Sequence, residues 1–260
     1  MSFMRRDWSN IRPNTMWGLC LRFPLRLIPK YAAVRVRTGL NQDMKWIVGS
    51  SIHGCWLGTY ELEKQAALTR IVRTGMTVFD IGANAGFYTL AFSRLVGDEG
   101  NVWAFEPYAE NASNILRHIK LNNLRNVTLL QAAVMNRTGV TGFQVAESNS
   151  MGATTGEGVY RVPSVTIDDL IADRIVPIPE VIKIDVEGAE SMVLDGARNL
   201  LSKQLTQVFV ALHGDQQRRN CWEFFKSFGY RIYRLDGSTC GEGQFNSDEI
   251  YAVPDNMTFE

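Results

Sequence analysis

With 260 residues, 45% of them hydrophobic and 21% charged, the chain has an ordinary globular composition and room for one large domain with an extension. Its 27 basic and 27 acidic residues cancel, so no overall charge points to a nucleic-acid partner. Cys20, Cys55, Cys221 and Cys240 form no Cys-x-x-Cys pair, and no apolar run nears the roughly 18 residues of a membrane span. Zinc-ribbon, disulfide-scaffold and transmembrane classes are therefore set aside, and reduced thiols in a cytoplasmic protein are expected.

The charge is unevenly spread. Residues 1–40 carry Arg5, Arg6, Arg12, Arg22, Arg26, Lys30, Arg35 and Arg37 against Asp7 alone, the mark of a basic arm. Residues 1–44 are expected to form this extension, irregular or helical with breaks at Pro13, Pro24 and Pro29, and residues 45–260 the main domain. Met16–Ile28 is interrupted by Arg22, Pro24 and Arg26 and does not read as a signal peptide. Trp17, Leu19, Phe23, Leu25 and Leu27 would suit a weak membrane-surface contact, with Arg22 and Arg26 toward headgroups. The same apolar set also suits packing on the domain or on a second subunit, so oligomeric state stays open.

Lys45 to Trp56 (KWIVGSSIHGCW) suggests two short strands about a Gly-Ser-Ser turn, with His53 a structural residue beside it. Glu61–Val72 reads as an amphipathic helix. The stretch that follows organises the chain. An apolar run (Val78, Phe79, Ile81) enters the turn Gly82-Ala83-Asn84-Ala85-Gly86. A helix Phe87–Leu95 and a strand Val102–Phe105 come next, and the strand ends on Glu106. That order is a nucleotide-binding βαβ half. Further on come a helix Asn111–Leu121, with Ile115, Leu116 and Ile119 on one face, and strands Val127–Ala133, Thr141–Ala146 and Val159–Val165. The polar loop Glu147–Gly158 reads as a mobile rim. The last elements are a strand Val181–Asp185, a helix Gly188–Leu201 and a central buried strand Gln207–Leu212. A helix Cys221–Phe228, a strand Tyr230–Arg234 and an edge strand Glu249–Val253 close the chain. Alternating strands and helices imply a doubly wound parallel sheet, an α/β fold.

The turn's chemistry narrows the ligand. Gly82 and Gly86 let the backbone bend with no Cβ in a ligand's way, and Asn84 tolerates positive φ. A dinucleotide fingerprint has its last Gly where Phe87 stands, and no P-loop Lys-Ser/Thr follows. Asp80 would repel a phosphate but suits an amine, and Glu106 can accept from both hydroxyls of a ribose. A nucleoside with a cationic amino-acid tail, S-adenosyl-L-methionine, fits this set. A nicotinamide-dependent oxidoreductase is the alternative, disfavoured by Phe87 and Asp80.

Lys183, Asp185 and Glu187 lie at the end of a strand and would be neighbours if the chain stays extended. A lysine between two acids also suits a simple structural ion pair. His213 follows the central strand and is the candidate base, with an unperturbed pKa near 6.5. Asp185 and Glu187 without a clear third ligand are weak grounds for a metal, and none is assigned.

GMTVFDIGANAGFYTL, AFEP, VIKIDVEGAE and the following VLDGA together resemble the FkbM-type methyltransferases, S-adenosylmethionine-dependent enzymes that mostly methylate hydroxyls of sugars and natural products. GTYELEK (Gly58–Lys64) and LHGD around His213 match the same pattern, and the resemblance covers roughly Lys45 to Tyr233. It implies a class I methyltransferase (Rossmann-like) sheet of seven strands, the last antiparallel. It places Asp80, Gly82, Asn84 and Gly86 at the methionine part, Glu106 at the ribose, and Ala132 and Ala133 beside the adenine, and it counts Glu61 with the cofactor residues. Asp185, Glu187 and His213, with Lys183, would face a small-molecule or glycan acceptor. One departure stands out: the family usually has Glu two residues before the His, and here that residue is Ala211. It leaves open a catalytically weak, S-adenosylmethionine-binding protein.

Overall fold

The structure, a computed structural model, describes residues 27–145, 152–154, 160–241 and 247–257. Trp17, Leu19, Phe23 and Leu25 of the proposed membrane-facing set lie outside the described residues, as does most of the loop Glu147–Gly158. Two compact units divide the chain, Met1–Leu62 and Glu63–Glu260.

In the first unit β1 (Ala33–Arg35) pairs antiparallel with β2 (Lys45–Ile47). This corrects two expectations. The segment before residue 40 contains a strand, and the partner of Lys45–Ile47 precedes it in the chain. The Gly-Ser-Ser segment is a 3-10 turn, Val48–Ser50, followed by a short helix, His53–Leu57. That helix ends because Gly58 adopts φ 80°, and a Cβ there would sit 1.8 Å from the Thr38 carbonyl oxygen.

The second unit begins one residue into the helix Leu62–Ile71. Its sheet is built from β3 (Thr77–Ile81), β4 (Asn101–Phe105) and β5 (Val127–Leu130). The strand expected to run from Val127 to Ala133 stops at Leu130. Ala133–Val134 is a separate strand, β6, in a four-stranded sheet with β7 (Gly139–Val145), β8 (Gly152–Thr154) and β9 (Tyr160–Val165). β8 falls inside the segment read as a loop. β10 (Val181–Ile184), β11 (Gln207–Ala211), β12 (Tyr230–Tyr233) and β13 (Glu249–Pro254) complete the main sheet.

The main sheet has the order β12-β13-β11-β10-β3-β4-β5. The β10–β11, β10–β3, β3–β4 and β4–β5 pairs are parallel, while β13 runs antiparallel to both neighbours. β13 is thus an interior strand rather than the expected edge, inserted between β11 and β12. Seven strands with one antiparallel strand next to the edge is the class I methyltransferase arrangement that the resemblance implied.

Register explains the two faces. Phe79, Ile81, Ile182, Ile184, Val208 and Val210 all join one buried core, packed with Leu194, Leu200 and Phe225 from the helices. The alternate positions form a row across the strands, Ala104–Asp80–Lys183–Phe209–Tyr251. Two charged side chains therefore stand side by side on an otherwise apolar sheet face. Helix boundaries differ from expectation mainly near glycines. The run after Gly188 breaks at Gly196 into Glu190–Asp195 and Arg198–Leu201, and the helix before β12 begins earlier, at Asp215. A further helix, Ile167–Ala172, is capped by the Thr166 hydroxyl accepting from Asp169 N–H. In the helix Ala109–Asn122 Ile115 is buried, but Leu116 is 56% exposed, so it does not share that face.

Candidate active site

The turn after β3 is held from three sides. Gly82 N–H and Ala83 N–H both donate to the Phe105 carbonyl of β4, each at 3.0 Å. Gly82 has φ 76°, and a Cβ would lie 1.9 Å from the Asp185 carbonyl oxygen, so the end of β10 passes where only glycine allows it. Asn84 (φ 51°) and Gly86 (φ 89°) complete a left-handed path into the helix Phe87–Val96. Buried His118 supports the turn from below, its Nδ1–H donating to the Ala85 carbonyl at 2.9 Å. Sequence reading missed His118, whose only signal was a polar residue on the buried face of the helix Ala109–Asn122.

Glu106 closes the turn. Its Oε2 accepts from Asn84 N–H at 2.8 Å and its Oε1 from Tyr108 N–H at 2.9 Å. Burial still pushes the carboxyl up to about 7, against the pull of the Tyr108, Asn84 and Asn111 hydrogen bonds. His118 moves the other way, pushed down by burial to about 4. The two residues tilt stability in opposite directions. Glu106 contributes stability that is full below 4.5 and lost as pH rises through 7. His118 contributes stability that is full above 6.5 and lost as pH falls through 4. Each spans about 3 kcal/mol, so over the shared window they largely cancel. From pH 5 to 7, relative to the wild type, Tm should therefore climb for Glu106→Gln and fall for His118→Gln. Profiles parallel to the wild type would show that neither residue titrates this way.

Behind the turn lies a buried ion-pair chain. Lys183 Nζ sits 3.2 Å from Asp80 Oδ1 and 3.6 Å from Asp185 Oδ2, and donates to the Gly82 carbonyl at 3.3 Å. Asp80 Oδ2 accepts from the Thr89 hydroxyl at 2.6 Å. Asp80 is 0% exposed, so the negative charge expected to meet a ligand amine is already met by Lys183 and Thr89. Lys64 pairs with Glu249 and reaches Asp185 Oδ2 at 3.8 Å. Both ammonium groups lie over the Tyr88 ring, at 5.5 Å and 5.2 Å from its centroid. Lys183, placed beforehand among residues facing the acceptor, is almost fully buried and joins the turn to Asp185.

His213 lies two residues past β11, just before Gly214 at φ 92°. Its Nδ1 bonds Glu190 Oε1 at 2.7 Å, and its Nε2 lies 3.4 Å from Glu187 Oε2 and 3.9 Å from Asp185 Oδ1. The Glu190 hydrogen bond raises the histidine's pKa despite partial burial, helped by Glu187 and Asp185. Burial raises Asp185 too, but Lys183, then Lys64 and His213, outweigh it and hold its carboxyl below the usual range. Glu187 is raised by burial. The chain does not stay extended through this segment. Glu187 takes φ 53° and Gly188 φ 100°, and that turn, rather than strand alternation, brings Glu187 to the histidine. Glu190, fully buried, is the other residue that sequence reading missed, although it is the last letter of VIKIDVEGAE.

Gly82, Glu106, Asp185 and His213 thus follow the carboxyl ends of four adjacent parallel strands, β3, β4, β10 and β11, the edge where open α/β sheets bind ligands. Ala132 and Ala133 are both buried, and Ala133 packs with Met135 and Phe143 against Tyr108, just past Glu106. Glu61 belongs to the first unit, at φ 45°.

Sheet order and strand-end residues define a class I methyltransferase domain. The sequence model described as Methyltransferase FkbM domain matches residues 80–232, and the chain belongs to that family. Its cofactor is S-adenosyl-L-methionine. Among curated relatives, hexuronic acid methyltransferase AglP of Haloferax volcanii is 28% identical over 141 residues, covering 52% of this chain and 55% of that protein. 31-O-demethyl-FK506 methyltransferase FkbM of Streptomyces tacrolimicus is 27% identical over 176 residues, covering 55% and 67%. The chain thus spans about half the length of the first and two thirds of the second. A solved FkbM methyltransferase from Methylobacillus flagellatus superposes with TM-score 0.49 and 19% identity, covering 68% of this chain and 43% of that one. Fibrillarin from Aeropyrum pernix, solved with natively bound S-adenosyl-L-methionine, superposes with TM-score 0.45 and 16% identity, covering 73% and 74%.

The residues present fit that cofactor. Glu106 accepts the Asn84 and Tyr108 N–H groups and an Asn111 side-chain hydrogen bond, and of the roughly four lone-pair sites of a carboxylate one remains for a ribose hydroxyl. Among the described residues no helix is long and apolar enough to cross a membrane.

Proposed function

We propose that the chain is an S-adenosylmethionine-dependent O-methyltransferase acting on a hydroxyl of a sugar, glycan or natural product. The observation that carries the reading is the adjacency of two chemistries. A ribose-type carboxylate and a left-handed glycine turn follow β3 and β4, and a histidine flanked by carboxylates follows β10 and β11. The names of two relatives, one acting on hexuronic acid and one on an oxygen of FK506, support a hydroxyl acceptor.

When bound, the cofactor supplies an electrophilic methyl group on a sulfonium. Glu106 would hold the ribose, with Gly82, Asn84 and Gly86 shaping the turn and Ala132 and Ala133 lying beside the adenine. Lys183 acts as a positioning residue, tying Asp80 and the turn to Asp185. His213 faces the acceptor with Nε2, its other nitrogen oriented by Glu190, and receives the hydroxyl proton as the methyl transfers. Asp185 and Glu187 stabilise the imidazolium that results. The basic segment of residues 1–40 adds weak attraction to anionic membranes; liposome co-sedimentation of full-length and truncated chains, each checked for folding, tests this, and equal partitioning would discard it.

Calorimetry tests the cofactor half. S-adenosylhomocysteine should bind in the micromolar range, about 8 kcal/mol, while NAD should not bind. Glu106→Ala should weaken binding by about 1.5–3 kcal/mol through lost ribose hydrogen bonds. Unchanged affinity would remove Glu106 from the site, and NAD binding in place of S-adenosylhomocysteine would favour the oxidoreductase reading. Incubation with labelled cofactor and hexuronic acid-containing glycans, read by mass gain of one methyl group, is the first acceptor screen.

A further inference from the structure

We propose that Asp185, Glu187 and His213 form a binding site for one divalent transition-metal ion, Mn2+ or Zn2+, on which the acceptor hydroxyl is activated. The inference rests on reading this cluster as the acceptor side, and it names what activates the hydroxyl there.

Geometry carries it. Asp185, Glu187 and His213 each offer one ligand atom, and these atoms all lie within 4.8 Å of one another. The Nε2 separations, 3.4 Å to Glu187 Oε2 and 3.9 Å to Asp185 Oδ1, exceed the roughly 2.7–3.2 Å of hydrogen bonds. One ion with bonds of about 2.1 Å holds tetrahedral ligands roughly 3.4 Å apart, the separation that the Glu187 oxygen already has from Nε2. The Asp185 oxygen closes on Nε2 by roughly half an ångström to join the same ion.

The surroundings are those of a ligand set rather than a plain ion pair. Nδ1 is engaged by Glu190, which is fully buried and also accepts from Gly188 N–H at 2.9 Å. Carboxylate, histidine and ion is the arrangement in which the outer carboxylate fixes the tautomer and leaves Nε2 as the donor atom. Among the described residues the second oxygen of Glu190 has no hydrogen-bond partner in its buried position, and the other oxygen orients His213. Asp185 is divided in the same way. Lys183 and Lys64 both approach its Oδ2, leaving Oδ1 toward Nε2. Among the described residues, the carboxylates Asp80, Asp185, Glu187, Glu190 and Glu249 gather around Lys183, Lys64 and His213, so acids outnumber bases in the cluster. One imidazole with two carboxylates suits Mn2+ or Zn2+ better than Ca2+, and three protein ligands leave a position for an oxygen of the acceptor.

With the ion in place, Nε2 is a ligand rather than a base. The hydroxyl binds the ion, which lowers its pKa, and the O–H proton leaves to water. The oxygen then forms its bond to the methyl carbon as the carbon–sulfur bond breaks, giving methyl ether and S-adenosylhomocysteine with no change of oxidation state. The ion replaces the proton-accepting role of His213 without changing which residues are needed.

The test needs no acceptor. Full-length chain stripped with a chelator is titrated with Mn2+ while the free-ion electron paramagnetic resonance signal is followed, and Zn2+ is added as competitor. One saturable Mn2+ site displaced by Zn2+ is expected. Glu187→Gln and His213→Ala should each weaken it at least about tenfold, and Asp236→Asn, an acid of the β12 turn, should not. S-adenosylhomocysteine binding by the same samples reports that each variant is folded. It also separates the two readings, because metal binding can fail while cofactor binding persists. No saturable binding up to about 1 mM, or binding that survives Glu187→Gln and His213→Ala, overturns the site.

Discussion

His213→Ala is expected to retain S-adenosylhomocysteine affinity within about twofold yet lose 10²–10⁴-fold in methyl transfer, about 3–5 kcal/mol of barrier. The separation follows from position. His213 sits past β11, while Glu106, the acid proposed to hold the ribose, follows β4, three strands further across the sheet, so removing the imidazole leaves the proposed cofactor contacts in place. A sugar hydroxyl holds its proton tightly, and losing the group that accepts that proton, or that holds the activating ion, exposes the full cost. Asp185→Asn should follow the same pattern, because its Oδ1 faces Nε2. The measurement is single-turnover transfer beside cofactor calorimetry on the same variants. If His213→Ala turns over normally while Glu187→Gln does not, the group that activates the hydroxyl is a carboxylate and His213 only orients it.

The turn after β3 was legible because its information is local. Glycines that must take positive φ, an asparagine that tolerates it, and an acid at a strand end are written in consecutive residues, and Gly82, Asn84, Gly86 and Glu106 take those conformations and positions. What sequence could not show was pairing across the sheet. Asp80 reads as a ligand acid until register sets it directly opposite Lys183, and only then is its charge seen to be satisfied. Glu190 reads as an ordinary helix-starting acid until the turn at Glu187 and Gly188 folds it under His213. β13 reads as an edge strand because nothing in its own letters records that it inserts between β11 and β12.

Ala211 illustrates the same limit. Its departure from the family pattern removes a carboxylate two residues before His213. In the antiparallel register, however, Ala211 faces Glu249 of β13, whose carboxylate pairs with Lys64, itself near Asp185. A carboxylate therefore stands on the neighbouring strand, and the position is not simply vacant of charge.

The largest expected stability effect belongs to Lys183. Its ammonium is the counter-charge of Asp80, fully buried in the middle of the sheet, and one of two for Asp185. A buried pair need not add much net stability, since desolvating both ions costs nearly what their attraction returns. Removing one partner is different, because it strands a carboxylate with no water and no cation. Lys183→Met keeps the side-chain length, so the loss is electrostatic rather than a cavity, and it should cost about 3–5 kcal/mol. For a unit of this size that is a fall in Tm of roughly 10 °C. The double variant Lys183→Met with Asp80→Asn should recover much of the loss, because no stranded charge remains, although the Asn still accepts from Thr89. Thermal or urea unfolding of the wild type, both single variants and the double variant closes the cycle. Additive losses would mean that the two side chains do not stabilise each other. A large favourable coupling would establish the Lys183–Asp80 ion pair behind the turn after β3.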